Sequence, residues 1–262
     1  MPGILFDLDG VFYVGGEAIP GGAEVLAWVR QQRIPHCFLT NTTSKPRQAL
    51  TEKLAAMGLV ADSANILTPP VAACRWIEHN LEGPVALFVP LATETEFRQL
   101  ALADRDSETP VAAVIVGDLG QAWDFTTLNQ AFRLLMRRPT PRLIALGMTR
   151  YWRAPDGLRL DVAPFVKALE HASGVEALVL GKPAAAFFQS ALDMIGCPAQ
   201  ESVMIGDDIR GDVAAAQAAG LRAILVKSGK FQPADLDGDI APDALLTSIA
   251  DLPQWWRTTF DH

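Results

Sequence analysis

Residues 3–10 read GILFDLDG, and this short stretch decides the fold. Its apolar part is continuous rather than alternating, which predicts a strand that is buried on both faces. Asp7 and Asp9 come at the end of that strand and Gly10 follows them. Because ligand crevices form at the carboxyl ends of strands in open parallel sheets, we expect both carboxylates to line such a crevice.

The same alternation of a short apolar run and a helical pattern continues along the whole chain. Strands are predicted at residues 3–8, 36–41, 85–89, 111–116, 143–146, 177–180, 202–205 and 223–226. Helices are predicted at 22–32, 46–57, 125–137, 165–171, 184–195 and 210–219, and the tail after residue 231 as a closing helix or loop. This order of elements predicts an α/β fold, in which helices cover a parallel sheet.

Length and composition exclude several classes of protein. The 262 residues fit one large domain or a core with a second unit, at roughly 100–200 residues per domain. With 22 basic and 30 acidic residues, a nucleic-acid partner is not expected, and no apolar run is long enough to predict a membrane span. The three cysteines are scattered and no basic segment precedes Asp7, so we expect a cytoplasmic protein without a secretory signal.

Polar residues also follow three further predicted strands. They are Thr40, Asn41 and Thr42 at the end of the strand at 36–41, Lys182 after the strand at 177–180, and Asp207, Asp208 and Asp212 after the strand at 202–205. Carboxylates that converge repel one another and need a cation between them, and an all-oxygen set favours Mg²⁺. A lysine supplies positive charge to a phosphoryl group, and hydroxyl and backbone N–H groups donate to its oxygens. The set therefore predicts a phosphoryl-transfer site.

Each of these residues also has a plain structural interpretation when it is taken alone. Asp7 and Asp9 could cap a loop, Lys182 could be a surface lysine, and Thr40 with Asn41 could form a helix-capping turn. The agreement of four strand ends favours the functional interpretation for these residues. For Asp208 a purely structural role remains an equal alternative.

The four segments resemble motifs one to four of the haloacid dehalogenase (HAD) superfamily, in that order. They are Asp7-Leu8-Asp9-Gly10, Leu39-Thr40-Asn41, Gly181-Lys182-Pro183 and Gly206-Asp207-Asp208 with Asp212. Only 31 positions separate Asp9 from Thr40 (40 − 9), whereas 142 separate Thr40 from Lys182 (182 − 40). The resemblance therefore implies a cap domain between motifs two and three, as in the NagD-like branch. We expect a Rossmann-like HAD core at 1–80 and 178–262, with an α/β cap at 81–177.

The resemblance implies a covalent mechanism for phosphate hydrolysis. Asp7 would be the nucleophile that forms an aspartyl-phosphate, and Asp9 would be the general acid and base. Lys182 would steady the nucleophile and the transferred charge. Mg²⁺ would be held by Asp7, the backbone carbonyl of Asp9, and Asp207. An aspartate at position 9 favours a phosphatase over a dehalogenase, because phosphoryl transfer needs the acid and base.

The other polar residues are given supporting roles by the same resemblance. Asp212, and with it Asp208, would hold metal-bound water or orient Lys182. The residues expected to bind the phosphoryl oxygens, together with Lys182, are Thr40, Asn41 and Thr42. In the cap, the residues expected to select the substrate are Arg150, Tyr151 and Trp152, because a guanidinium can pair with an anion and aromatic rings can stack. The alternative for the two aromatic residues is packing within the cap or at a dimer interface.

We therefore expect a Mg²⁺-dependent phosphatase that acts on a small phosphorylated metabolite and forms a homodimer. Three alternatives stay open at this point. The first is a phosphatase of inorganic pyrophosphate, phospholysine or phosphohistidine. The second is a non-catalytic binding module on the same scaffold, and the third is phosphoryl transfer to an acceptor other than water.

Overall fold

The computed structural model describes residues 2–154 and 156–260, which form two compact units. The first unit contains the residues up to Thr40, residues 47–67, and the residues from Lys182 onward. The second unit contains residues 41–46 and 68–181. Each unit is built on its own parallel sheet.

The strands alternate with helices along most of the described chain. In chain order the strands are β1 (Gly3–Asp7), β2 (Tyr13–Val14), β3 (Glu17–Ala18), β4 (His36–Leu39), β5 (Ile66–Leu67), β6 (Val85–Phe88), β7 (Leu102–Ala103), β8 (Ala113–Val116), β9 (Arg142–Ala145), β10 (Tyr151–Ala154), β11 (Gly157–Leu160), β12 (Ala177–Val179), β13 (Ser202–Gly206), β14 (Arg222–Val226) and β15 (Ala244–Leu246).

Helices lie between many of the parallel strands in the chain. In chain order they are α1 (Gly22–Gln31), α2 (Arg47–Ala56), α3 (Pro69–Asn80), α4 (Leu91–Glu94), α5 (Phe125–Leu135), α6 (Ala163–Ser173), α7 (Ala185–Ile195), α8 (Ala215–Ala218) and α9 (Leu252–Phe260). A π-helical segment, Ile209–Ala214, leads directly into α8.

The first unit contains a six-stranded parallel sheet with the order β15-β14-β13-β1-β4-β5. Strand β1 lies in its middle, so that Phe6 is paired with Ile205 on one side and with Phe38 on the other. Every residue of β1 and β13 is buried, as continuous apolar runs in a parallel sheet require. The predicted α/β fold with a parallel sheet is therefore confirmed.

The order of the strands determines which loops can meet. Strands β14, β13, β1 and β4 are consecutive neighbours and run parallel, so their carboxyl ends lie along one edge of the sheet. Asp7 is the last residue of β1, while Thr40 and Asp207 directly follow β4 and β13. The predicted convergence of strand ends in the first unit thus follows from sheet topology.

The second unit contains a five-stranded parallel sheet with the order β12-β9-β8-β6-β7 and an antiparallel hairpin of β10 and β11. Its core includes the stacked rings of Phe88 and Trp123, with centroids 6.1 Å apart, and Phe165 stacks on Trp123 at 5.0 Å. These residues belong to one apolar cluster or pack directly against it. The second unit therefore has an α/β architecture and an apolar core of its own.

Helix α3 was not predicted from the sequence, and it groups with the second unit. Its first turn holds Pro69 and Pro70, and the Thr68 hydroxyl accepts a hydrogen bond from the Val71 N–H group. The Cys74 thiol donates to the Glu96 carbonyl of the same unit at 3.2 Å. Helix α3 is thus part of the second compact unit.

None of the helices in the described ranges combines the length and the apolar character needed to cross a membrane.

The aromatic core of the first unit generates a prediction for Phe6→Ala. Phe6 is fully buried, and its ring lies 5.2 Å from Phe12 and 5.7 Å from Phe38. We expect the substitution to lower the free energy of unfolding by about 3–5 kcal/mol, because it removes a large side chain and leaves a cavity. Urea-induced unfolding followed by circular dichroism measures the loss. Val60→Ala is the control, since Val60 is 62% exposed and should change stability by less than about 0.5 kcal/mol. Equal losses in both variants would contradict the assigned core.

Candidate active site

Lys182 is the cation at the carboxyl edge of the first unit's sheet. Its Nζ donates one hydrogen bond to Asp7 Oδ1 and another to Asp212 Oδ1, the latter at 2.7 Å. All three side chains are almost completely buried. Buried charges are tolerated when they are paired and hydrogen-bonded, and here one ammonium is hydrogen-bonded to two carboxyl groups.

Asp207 adds a third carboxylate to the same place. One oxygen each from Asp7, Asp207 and Asp212 lie within 4.8 Å of one another. The Asp207 Oδ2 accepts a hydrogen bond from the Lys230 N–H group at 2.7 Å, whereas Oδ1 is buried and has no hydrogen-bond partner among the described residues. A buried carboxylate oxygen without a partner is costly, and a hard cation would satisfy it. The residues present therefore fit a divalent metal ion.

The acid–base properties of the cluster reflect its burial and its excess of negative charge. Burial raises the pKa of Asp7 to about 7, with repulsion from Asp212 and Asp207 adding to the effect and Lys182 opposing it. Burial also raises the pKa of Asp207 to about 6, against the hydrogen bond from Lys230. Burial alone would lower the pKa of Lys182, but Asp212 and Asp7 together raise it. A divalent cation among these groups would lower both carboxyl pKa values.

Gly10 makes the close approach of two loops at the site sterically allowed. Its φ of +87° lies in the left-handed region that glycine adopts without strain. A Cβ at this position would lie 1.9 Å from Asp207 Oδ2. The glycine after Asp9 is therefore required by the position of the Asp207 carboxylate.

Asp208 and Asp212 have different functions in the structure. Asp208 Oδ1 accepts hydrogen bonds from the N–H groups of Arg210 and Gly211, at 3.0 and 2.8 Å, and thus caps the helical segment that begins at Ile209. Burial alone would raise the pKa of Asp208, but these hydrogen bonds and Lys230 lower it. Asp212 accepts hydrogen bonds from Lys182 and, at 3.2 Å through Oδ2, from the Asp208 N–H group.

The remaining predicted residues of the core segments are Asp9, Thr40, Asn41 and Thr42. The Asp9 side chain is exposed, and its backbone forms a bridge with Tyr13. Thr40 is buried directly after β4 in the first unit. Asn41 and Thr42 group with the second unit. Within the first unit, the structure thus brings together four of the predicted side chains: Asp7, Lys182, Asp207 and Asp212.

The predicted cap residues lie at the start of the hairpin in the second unit. Tyr151 and Trp152 open β10, and their side chains are 52% and 42% exposed. The guanidinium of Arg150 lies 5.9 Å from the Tyr151 ring, and that of Arg159 lies 5.9 Å from the Trp152 ring. Neither aromatic residue belongs to the apolar core of this unit, so core packing does not account for them.

One segment of the site was missed from the sequence. Residues 228–230 follow β14, and the Lys230 N–H group binds Asp207 while the Ser228 hydroxyl donates to the Gly10 carbonyl. The strand at 223–226 had been predicted, and β14 is the neighbour of β13. Because ligand sites form at the carboxyl ends of parallel strands, the position of this segment after β14 is the sequence signal that indicates its part in the site.

The sequence matches two related family models. The model described as haloacid dehalogenase-like hydrolase covers residues 4–102, and the one described as HAD-hydrolase-like covers residues 179–252. The human phospholysine phosphohistidine inorganic pyrophosphate phosphatase is 40% identical over 237 residues, which are 89% of this chain and 85% of the relative. The Bos taurus haloacid dehalogenase-like hydrolase domain-containing protein 2 is 39% identical over 244 residues, 93% of this chain and 90% of the relative.

Solved structures show the same architecture. NagD from E. coli K-12 has a TM-score of 0.84 at 25% identity, covering 96% of this chain and 98% of its own. The p-nitrophenyl phosphatase from Archaeoglobus fulgidus has a TM-score of 0.85 at 26% identity, covering 97% and 98%. The chain belongs to the haloacid dehalogenase-like hydrolases. Within that family it is a phosphatase of the NagD-like branch.

The paired charges at the site generate a prediction for Lys182→Met. Removing the ammonium leaves Asp7, Asp207 and Asp212 buried without their cation. We expect the metal-free variant, unfolded by urea in the presence of a chelator, to lose roughly 3–5 kcal/mol. Lys230→Met is the matched control, because the Lys230 ammonium is largely exposed and should contribute less than about 1 kcal/mol through Asp208. If the two variants lose the same stability, the buried pairing is wrong.

Proposed function

We propose that this chain is a Mg²⁺-dependent phosphatase that hydrolyses a small phosphorylated molecule through an aspartyl-phosphate on Asp7. The observation that carries the proposal is the buried cluster of Asp7, Lys182, Asp207 and Asp212, in which one carboxylate oxygen lacks a partner among the described residues. Ionised carboxylates next to an ammonium at a strand edge suit nucleophilic attack on phosphorus.

The metal ligands in this proposal are the carboxylates of Asp7 and Asp207 and the backbone carbonyl of Asp9. The all-oxygen donor set and the partnerless Asp207 Oδ1 support Mg²⁺. When bound, the ion would reduce the repulsion between the phosphoryl oxygens and the Asp7 carboxylate, and it would polarise the phosphoryl group. Asp212 is already engaged by Lys182 and the Asp208 N–H group, which supports an orienting role for it.

The chain's own residues account for both halves of the reaction. A carboxylate oxygen of Asp7 attacks phosphorus, the bond to the leaving oxygen breaks, and Asp9 gives that oxygen its proton. In the second half, Asp9 takes a proton from water, and this water attacks the phosphorus of the aspartyl-phosphate to release inorganic phosphate. The exposed position of Asp9 supports this role, since its carboxyl group must reach both the leaving group and water.

Binding of the phosphoryl oxygens is proposed for Thr40, Asn41 and Thr42 together with Lys182. The register supports Thr40 in particular, because Asp7 is paired with Leu39 across β1 and β4 and Thr40 is the next residue. Its hydroxyl and the following backbone N–H groups are donors of the kind that bind phosphate. Asp208 is proposed to have no direct contact with the phosphoryl group and to act as the cap of the helical segment that begins at Ile209.

The substrate is proposed to be chosen by a cap at residues 81–177, through Arg150, Tyr151 and Trp152. Their exposure in the second unit supports contact with a bound molecule. Inorganic pyrophosphate, phospholysine or phosphohistidine is the second candidate substrate class, because a 40% identical relative is named for them.

We also propose a cytoplasmic homodimer, in which the same hairpin is the alternative contact surface between subunits.

The covalent step generates a prediction for Asp7→Asn. We expect at least a 10³-fold loss of phosphate release from p-nitrophenyl phosphate, because an amide is a poor nucleophile, while circular dichroism stays unchanged. In the wild-type protein, activity should be lost with a chelator and restored by Mg²⁺.

Turnover by the variant near the wild-type rate would contradict the assignment of Asp7. No turnover of any phosphorylated substrate by the wild-type protein with any metal would favour a binding module, and a phosphorylated product other than inorganic phosphate would favour transfer to another acceptor.

The exposed hairpin generates a prediction for Trp152→Ala. We expect the ratio of kcat/KM for p-nitrophenyl phosphate to that for inorganic pyrophosphate to fall roughly 3- to 10-fold, because only the first substrate offers a ring for stacking. Leu158→Ala is the matched control: Leu158 is 64% exposed in the same hairpin and pairs with Arg153, so it lies on the opposite face from Trp152. Equal losses for both substrates would contradict a role in selection. A change of sedimentation instead would favour the dimer interface.

A further inference from the structure

We propose that residues 228–230, the segment after β14, form a positioning loop that fixes Asp207 for the divalent cation. The inference rests on the proposed metal site, but it concerns residues outside the four motif segments. Two hydrogen bonds of this loop carry the proposal. The Lys230 N–H group donates to Asp207 Oδ2 at 2.7 Å, and the Ser228 hydroxyl donates to the Gly10 carbonyl at 2.5 Å.

The contact with Asp207 decides which of its oxygens faces a cation. Because Oδ2 is occupied by a backbone N–H group, the carboxylate is held in one orientation, and its buried Oδ1 stays without a partner among the described residues. A ligand atom that is held in place before the ion arrives loses little conformational freedom on binding. The N–H group also offsets part of the charge on Oδ2, which reduces the repulsion from Asp7 and Asp212.

The contact with Gly10 steadies the other side of the same site. Gly10 follows Asp9, whose carbonyl is the proposed backbone ligand, and the Gly10 N–H group donates to the Tyr13 carbonyl at 2.7 Å. The Ser228 hydroxyl therefore connects the loop after β14 to the loop after β1. With both loops joined, the side-chain ligand from β13 and the backbone ligand beyond β1 keep a fixed separation.

Gly229 allows this junction because no side chain would fit there. A Cβ at Gly229 would lie 2.1 Å from Asp207 Oδ2 and 2.4 Å from the Gly10 Cα, and its φ is +63°. The backbone of the loop thus lies directly against both the carboxylate and the neighbouring loop. The Lys230 ammonium lies 3.3 Å from Asp208 Oδ2, so it pairs with the capping carboxylate and leaves Asp207 to the N–H group.

The test uses Mn²⁺ as the probe, titrated into the metal-free full-length protein, with unbound Mn²⁺ measured by electron paramagnetic resonance. We expect Ser228→Ala to weaken Mn²⁺ binding about 10-fold, as loss of an outer hydrogen bond typically does, and Gly229→Ala to weaken it further. Ser228→Thr keeps the hydroxyl and should bind within about 3-fold of the wild type. At saturating metal, kcat of Ser228→Ala should return to within about 3-fold of the wild type, because the loop acts on metal affinity.

Ser202→Ala is the matched control. The buried Ser202 hydroxyl also donates to a backbone carbonyl, that of Pro198, but it lies at the opposite end of β13 from Asp207. Its Mn²⁺ affinity should equal that of the wild type, whatever its melting temperature. Affinity of Ser228→Ala within 2-fold of the wild type, or an equal loss in Ser202→Ala, overturns the positioning loop while the metal site stands. If the wild-type protein binds no Mn²⁺, the metal site and the loop both fall.

Discussion

The ammonium of Lys182, held between Asp7 and Asp212, is the contact on which the site depends. Two ionised carboxylates whose oxygens lie within 4.8 Å of each other repel by at least roughly 3 kcal/mol at an effective dielectric constant of about 20. With Asp207 nearby, three carboxylates face one buried lysine, so the cluster keeps an excess of negative charge. Burial, and with it repulsion between the carboxylates, raises the pKa values of Asp7 and Asp207, so that protonation is one way to remove the excess. A divalent cation is the other way, and it leaves Asp7 ionised and able to act as a nucleophile.

The position of this cluster follows from the order of strands in the sheet. Strands β13 and β1 are parallel neighbours in register, Gly3 with Ser202 and Phe6 with Ile205, so that their ends bring Asp207 and Asp7 side by side. Apart from Ser202 at the start of β13, these two buried strands carry no polar side chain before the aspartates at their carboxyl ends. The same apolar packing that stabilises the sheet therefore also fixes the separation of the carboxylates.

The sequence predicts those parts of the molecule whose signal lies in side-chain chemistry. Continuous apolar runs predicted eight of the parallel strands in the described chain, and the polar residues at the ends of β1 and β13 predicted the carboxylates of the cluster. Lys182 follows β12, which is a strand of the second unit's sheet. Strands such as β5, with two residues, are too short to carry a periodic signal. Helix α3 was missed because its first turn holds two prolines, which resemble a loop in sequence although they suit the start of a helix. The contacts of Ser228 and Lys230 involve the main chain, so their side chains carry no signal, and only their position after β14 indicates a part in the site.

The loop after β1 shows how two carboxylates only two positions apart acquire different surroundings. Asp7 is the last buried residue of the strand, whereas Asp9 lies beyond the bend and is exposed. A proposed nucleophile has to be held by its cation, and a proposed acid and base has to reach solvent, so one environment could not serve both. The left-handed turn at Gly10 and its hydrogen bond to Tyr13 keep the two apart. Since the Gly10 carbonyl also accepts the Ser228 hydroxyl, the turn that separates the carboxylates also joins the loop after β1 to the loop beside Asp207.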